Sequence, residues 1–130
     1  APSAEGILSL PLRPETKLQW IALKDIGEFA AEAFLRPSEF IGQAIDLAGD
    51  ELTMPAATAL LSQATRRPMV FQEMPESEAE TSMGHDFALM FRWFNEGGYT
   101  VDIPALGKRW GIPMTTLKQV LVEAPWAKPA

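Results

Sequence analysis

The chain has 130 residues, 47% of them hydrophobic, no cysteine, and a formal net charge of −6. That size allows one domain with a core of its own, and the missing cysteines remove disulfides, thiol nucleophiles and Cys-based metal sites. The excess of acid argues against direct nucleic-acid binding, which draws on many Lys and Arg contacts to phosphate, and no apolar run reaches the ~20 residues of a membrane span.

Residues 1–6 are neither basic nor followed by a long apolar stretch, so a secretory leader is not expected and the cytoplasm is the expected compartment. The first residue is Ala1 rather than Met, which reads as processing, a trimmed tag or a piece of something longer. Residues 6–12 read as a short strand with Ile7, Leu8, Leu10 and Leu12 apolar and Pro11 at its fraying end. A turn follows at 13–16, then a second extended stretch at 18–23 with Trp20 and Ala22 on one side.

The first helix is expected to start on Asp25 as N-cap, with Glu28 giving capping-box spacing. Ile26, Phe29, Ala30, Ala33 and Phe34 then repeat as a buried stripe, and Pro37 stops it. Residues 44–48 read as a brief apolar strand running into a turn at Gly49-Asp50. Thr53 caps a second helix over 54–65, with Leu60, Leu61 and Ala64 inward, Arg66 and Arg67 at its negative end, and Pro68 closing it. Residues 69–74 read as another strand. The acidic stretch 75–81 fits a loop or an exposed helical turn equally well.

A long helix is expected from Ser82, with Phe87, Met90, Phe91 and Phe94 on one side, Leu89 and Trp93 widening the stripe, and a break at Gly97-Gly98. Residues 103–106 read as a short turn. The last helix covers 116–122, with Thr116 and Gln119 at capping-box spacing and Pro125 after it. The whole is one α+β module over residues 1–130, a small sheet of short strands packed by three or four helices.

Catalytic signatures are scarce. The nine glycines never fall into the spacing of a dinucleotide-binding turn, and Gly107-Lys108 is followed by Arg109 where a P-loop carries Ser or Thr. His85 is the single histidine, so a metal site would lean on carboxylates, and none is expected. Ser82, His85 and Asp86 suggest a triad only superficially, because residues one apart on a helix do not face each other. They read instead as the polar first turn of the long helix. The acidic run Glu73, Glu76, Glu78, Glu80 and Asp86 reads as a solvated face. The Phe and Met stripe of that helix reads as core before ligand pocket, and Trp20 and Trp110 fit either.

Taken in order, several segments resemble the NmrA-like family. They are Leu10-Pro11-Leu12, Ile21 through Ala31, Gly42 through Thr53, Arg67-Pro68-Met69-Val70, Met90 through Tyr99, and the helix at Thr116-Leu117. The resemblance runs over residues 6–123. It implies the C-terminal portion of a Rossmann-type protein, without the N-terminal half that carries the glycine-rich NAD(P) loop. In that family some members reduce small molecules with NADPH, while others act as redox sensors or partners of transcription factors. No cofactor is therefore expected in this chain, although NADP is implied for the full-length family.

The family's substrate cleft lies between the halves. By that resemblance, Trp20 and Lys24, with His85, Phe87 and Met90, are the substrate-pocket candidates, and no catalytic residue is assigned. A half-protein leaves apolar faces and strand edges uncovered, so a homo-oligomer, or pairing with the missing Rossmann half, is expected. The implied function is a substrate- or partner-binding portion without catalysis of its own. The alternatives are a stand-alone reductase or hydrolase, and a regulatory protein-interaction domain.

Overall fold

The computed structural model describes residues 6–127, so the leader reading at residues 1–6 lies almost wholly outside it. Among these residues the order is β1 (Ile7–Leu10), β2 (Lys17–Trp20), α1 (Leu23–Leu35), α2 (Pro37–Phe40) and β3 (Asp50–Thr53). Then come α3 (Met54–Thr65), β4 (Val70–Glu73), α4 (Glu76–Met83), α5 (His85–Asn95), α6 (Ile103–Trp110) and α7 (Leu117–Glu123), with a 3-10 turn at Pro125–Ala127. The class is α+β as the pattern implied, with seven α-helices where three or four were expected.

The strands form two separate ladders. β1 pairs with β4 in parallel, Ile7 opposite Val70 and Leu10 opposite Glu73. β2 pairs with β3 antiparallel, Lys17 opposite Thr53 and Trp20 opposite Asp50. The strand expected at 44–48 is not formed. Those residues carry no regular structure, and Ile45 and Leu47 instead pack half-buried on Phe29, Leu106, Trp110 and Ile112. Their apolar side chains meet α1 and α6 rather than a neighbouring strand. The strand begins at Asp50, within the expected turn, because Leu52 there faces Leu18 and Glu51 faces Gln19 across the ladder.

α1 starts at Leu23, with Ala22 as N-cap and no side-chain capping bond. Asp25 is therefore not the cap. It sits in the first turn, fully buried, where the helix dipole favours a carboxylate. Its two oxygens accept hydrogen bonds from the Thr115 N–H and the Thr115 hydroxyl, both at 2.7 Å. Gly49 lies beside this contact: a Cβ there would stand 2.7 Å from the Thr115 carbonyl oxygen. Next to it, Asp50 accepts from the Leu117 N–H at 2.9 Å, which joins β3 to the start of α7.

The expected inward stripe of α1 is also corrected. Phe29 is buried, but Ile26, Ala30 and Phe34 face solvent, because the helix turns Asp25, Phe29 and Arg36 inward. Arg36 fixes that orientation by donating to Glu32 at 2.7 Å and to the Trp110 carbonyl at 2.9 Å.

The undecided acidic stretch is helix α4, and the expected long helix is broken. Gly84, at φ 92° and ψ 164°, separates α4 from α5, so Ser82 belongs to the first and His85 to the second. Residues 103–106 are the first turn of α6 rather than a short turn. Asp102 caps α6 by accepting from the Ala105 N–H at 3.0 Å, Pro104 occupies its first turn, and Gly111 ends it. The caps of α3 and α7 are as expected: Thr53 accepts from Ala56, and Thr116 and Gln119 form a reciprocal capping box.

Three apolar clusters fill the interior. Phe29, Leu106, Trp110 and Ile112 form one, Leu8, Leu12 and Met54 a second, and Leu121, Ala124 and Ala127 a third. Asn95 ties the second to the first turn of the chain. Its amide oxygen accepts from the Arg13 N–H and the Thr16 hydroxyl, and its NH2 donates to the Pro11 carbonyl.

Replacing Asp25 with Ala leaves two buried donors of Thr115 without an acceptor, and should lower unfolding stability by about 3 kcal/mol. Thr115→Val, which keeps one donor, should lose about half as much. Urea melts of both variants read this out, and wild-type midpoints for Asp25→Ala would show that the contact carries no weight.

Candidate functional site

The five residues singled out from the sequence fall into three places. Trp20 ends β2, its carbonyl accepting the Gly49 N–H at 2.7 Å. Its ring packs half-buried against Leu8, Leu12 and Met54, in company with Phe91 and Phe94 from α5. The indole N–H is enclosed without a hydrogen-bond partner. It is the one such side-chain atom among the described residues, at a cost of about 1–3 kcal/mol.

Lys24 lies in the first turn of α1, and its ammonium stands 3.5 Å from the Glu123 carboxylate at the end of α7. Both side chains are more than half exposed, so the pair is worth under about 1 kcal/mol. It marks where the two helices approach rather than holding them together.

His85, Phe87 and Met90 share α5. His85 Nδ1 lies 3.2 Å from Glu80 Oε1 across the Gly84 corner, and this, rather than Ser82 or Asp86, is its partner. Ser82 lies in the last turn of α4 while His85 and Asp86 open α5, so the three do not share the polar first turn expected of them. The acidic run is exposed throughout. Within it Glu76 takes the Arg92 guanidinium, and this hydrogen bond and charge raise Arg92 above its already high range, fixing it as a cation.

α5 covers only part of its apolar surface. Ala88 is buried, and Phe91 and Phe94 are half-buried in the second cluster. Phe87 is 56% exposed, and Leu89, Met90 and Trp93 are also exposed. The stripe expected to face the core is therefore covered only in part, since Phe91 and Phe94 meet Leu8, Leu12 and Met54 while Phe87 and Met90 stay exposed. Tyr99 stands edge-on to Trp93 with ring centroids 5.0 Å apart, extending the outward aromatic surface past the Gly97-Gly98 break.

The structure thus leaves His85, Phe87 and Met90 exposed on α5, with Phe87 and Met90 one helical turn apart and His85 on another side of the helix. Trp20 meets the inner side of the same helix, and Lys24 is placed with Glu123 elsewhere. Sequence reasoning missed Asp25 and Gln19 as organising groups. Gln19 exchanges two hydrogen bonds with the backbone of Val101, at 2.8 and 2.9 Å, and so anchors the segment between Tyr99 and α6. Only its polarity between Leu18 and Trp20 hints at this role.

A dinucleotide site needs a glycine turn from strand to helix, so that backbone can approach the pyrophosphate. Here the junctions β2–α1, β3–α3 and β4–α4 contain no glycine, and the residues present do not fit such a cradle. Among the described residues, no group of three or more His, Asp or Glu could hold a metal ion, and no helix is long and apolar enough to cross a membrane.

A family model described as the NmrA-like family matches residues 1–123. No curated protein matches the chain.

The covered and the exposed apolar residues of α5 should respond differently to truncation. Phe87→Ser and Met90→Ser should leave stability within about 0.5 kcal/mol of the parent, whereas Phe91→Ala and Phe94→Ala should each cost about 2 kcal/mol. Equal losses at all four positions in thermal melts would mean that Phe87 and Met90 are packed rather than free to meet a ligand.

Proposed function

The chain belongs to the NmrA-like family, and from that premise we propose that it is a substrate- or partner-binding portion of an NAD(P)-binding protein, without catalysis of its own. The observation that carries this reading is the apolar surface turned outward on two helices. On α1, Leu23 and Phe34 are 85% and 87% exposed, with Ile26 and Ala30 between them. On α5, Phe87, Leu89, Met90 and Trp93 do the same. Contiguous patches of this kind mark surfaces that meet a ligand or another polypeptide.

The ladder of β1 and β4 supports the same reading. Parallel strands ordinarily belong to larger sheets covered on both faces, and a parallel pair of two strands fits the margin of such a sheet. In this reading the α1 face and the β1–β4 margin meet a second copy of the chain or a dinucleotide-binding half. The α5 surface, with His85, Phe87 and Met90 exposed and Trp20 behind it, takes the small molecule or partner. NADP then resides on the other half, whose glycine-rich turn has no counterpart among the strand-to-helix junctions here. The cytoplasm is the compartment this reading expects.

Calorimetric titration of the chain with NADPH and with NADP⁺ tests the division of labour. No heat at millimolar ligand is expected, and micromolar binding would put a cofactor site in this chain and favour an enzyme. Sedimentation velocity tests the α1 face. A homo-oligomer is expected, dissociated by Leu23→Glu with Phe34→Glu at unchanged helical content, and a monodisperse monomer of the parent chain would sink the self-association.

A further inference from the structure

α7 packs back on α3 through Leu121 and Ala124, which meet Leu60, Leu61 and Ala64. Beside that contact the two helices leave a groove of about 320 Å³. Leu60, Ala64, Leu121 and Val122 make its apolar floor and wall, while Arg66, Lys118 and the amide of Gln63 supply its polar groups. No carboxylate lines it, in a chain where acids outnumber bases by 17 to 11. None of the five residues discussed above takes part.

Among the described residues the two cations of the groove have no carboxylate partner, a state they share with Arg13, Lys17, Arg67, Lys108 and Arg109. Lys24, Arg36 and Arg92 each stand against a carboxylate, but neither Arg66 nor Lys118 makes an ion pair or a side-chain hydrogen bond among the described residues. Arg66 is also the one non-glycine residue there with a positive φ, 53°, at the C-cap of α3. Glycine adopts that left-handed backbone more cheaply, so a long cation occupies a position where backbone chemistry favours no side chain. Strain of this kind gathers where a side chain has a task.

We propose that the groove between α3 and α7 binds a small amphipathic carboxylate. The apolar tail lies along Leu60, Ala64, Leu121 and Val122, and the carboxylate sits between Arg66 and Lys118, with the Gln63 amide as a further donor. The volume is at the low end of small-ligand sites, too small for a partner helix and suited to a tail of about eight carbons. Charge complementarity selects the anion over the alcohol or the amine, since an ionised acceptor makes the stronger hydrogen bonds to Arg and Lys. Bound there, the ligand spans α3 and α7 and holds the last helix to the body of the molecule.

Calorimetry of the full chain with sodium octanoate tests this. Binding with a Kd on the order of 100 µM is expected, and 1-octanol should bind at least about tenfold more weakly. Arg66→Gly is the informative variant: glycine relieves the backbone, so the fold is kept or strengthened, while loss of the cation weakens octanoate about tenfold. Lys118→Gln, at an exposed position, should do the same. Val122 is 69% exposed, so Val122→Trp can close the groove without disturbing the core, and should abolish binding at an unchanged melting temperature. The proposal fails if millimolar octanoate gives no heat, or if octanol binds as tightly. It fails equally if Arg66→Gly or Val122→Trp binds like the parent, which would move the ligand to the open faces of α1 or α5. The NADPH titration involves none of these residues, so either experiment can fail without the other.

Discussion

The carboxylate of Asp25 and the two donors of Thr115 bring together residues 90 positions apart, and much of the remaining architecture follows from that contact. A buried carboxylate is tolerated only when its oxygens are hydrogen-bonded, so the first turn of α1 and the segment after α6 must arrive together. Gly49 lets them close, because any side chain there would meet the Thr115 carbonyl. Asp50, one residue on, then receives the Leu117 N–H and sets where α7 begins. Three stretches of chain, near residues 25, 50 and 115, thus form one polar knot between the apolar cluster around Phe29 and the cluster around Leu121.

Much of the local structure was legible because its signals are local. Thr53 and Thr116 cap helices through their own neighbours, and Pro68 and the Gly97-Gly98 pair end elements through backbone chemistry that no tertiary contact overrides. Asp25 misled for the opposite reason. Its spacing to Glu28 is that of a cap, while its partner lies at the far end of the sequence. Residues 44–48 are apolar as a short strand is, but Ile45 and Leu47 are met by α1 and α6 rather than by a ladder. The helix at 103–110 carries its own local signals, Asp102, Pro104 and Gly111, but at eight residues its apolar run is short enough to resemble a turn.

The helix faces were the least legible part of the candidate site. A sequence tells that Ile26, Ala30 and Phe34, or Phe87, Met90 and Phe94, share a side of a helix. It does not tell whether that side meets the core, because the same apolar stripe serves burial and recognition alike. On α1 the choice is made by Arg36, whose bonds to Glu32 and the Trp110 carbonyl turn Phe34 outward. On α5 it is made by Asn95, which ties the end of the helix to Pro11, Arg13 and Thr16 and sets Phe94 against the second cluster.

The ladder of β1 and β4 has a bearing on how the chain acquires its shape. Its register joins residues 7 and 70, so the pair closes only after a loop containing β2, α1, α2, β3 and α3 has been drawn in. Closing so long a loop carries an entropic cost before any strand bond rewards it. The corner of α4 and α5 and the turn from β3 into α3 involve near neighbours and face no such delay. During that interval Ile7 to Leu10 and Val70 to Glu73 are strand segments without their mates, open to intermolecular pairing at high concentration. Recovery of this chain from dilute rather than concentrated refolding follows from topology alone, whatever the molecule binds.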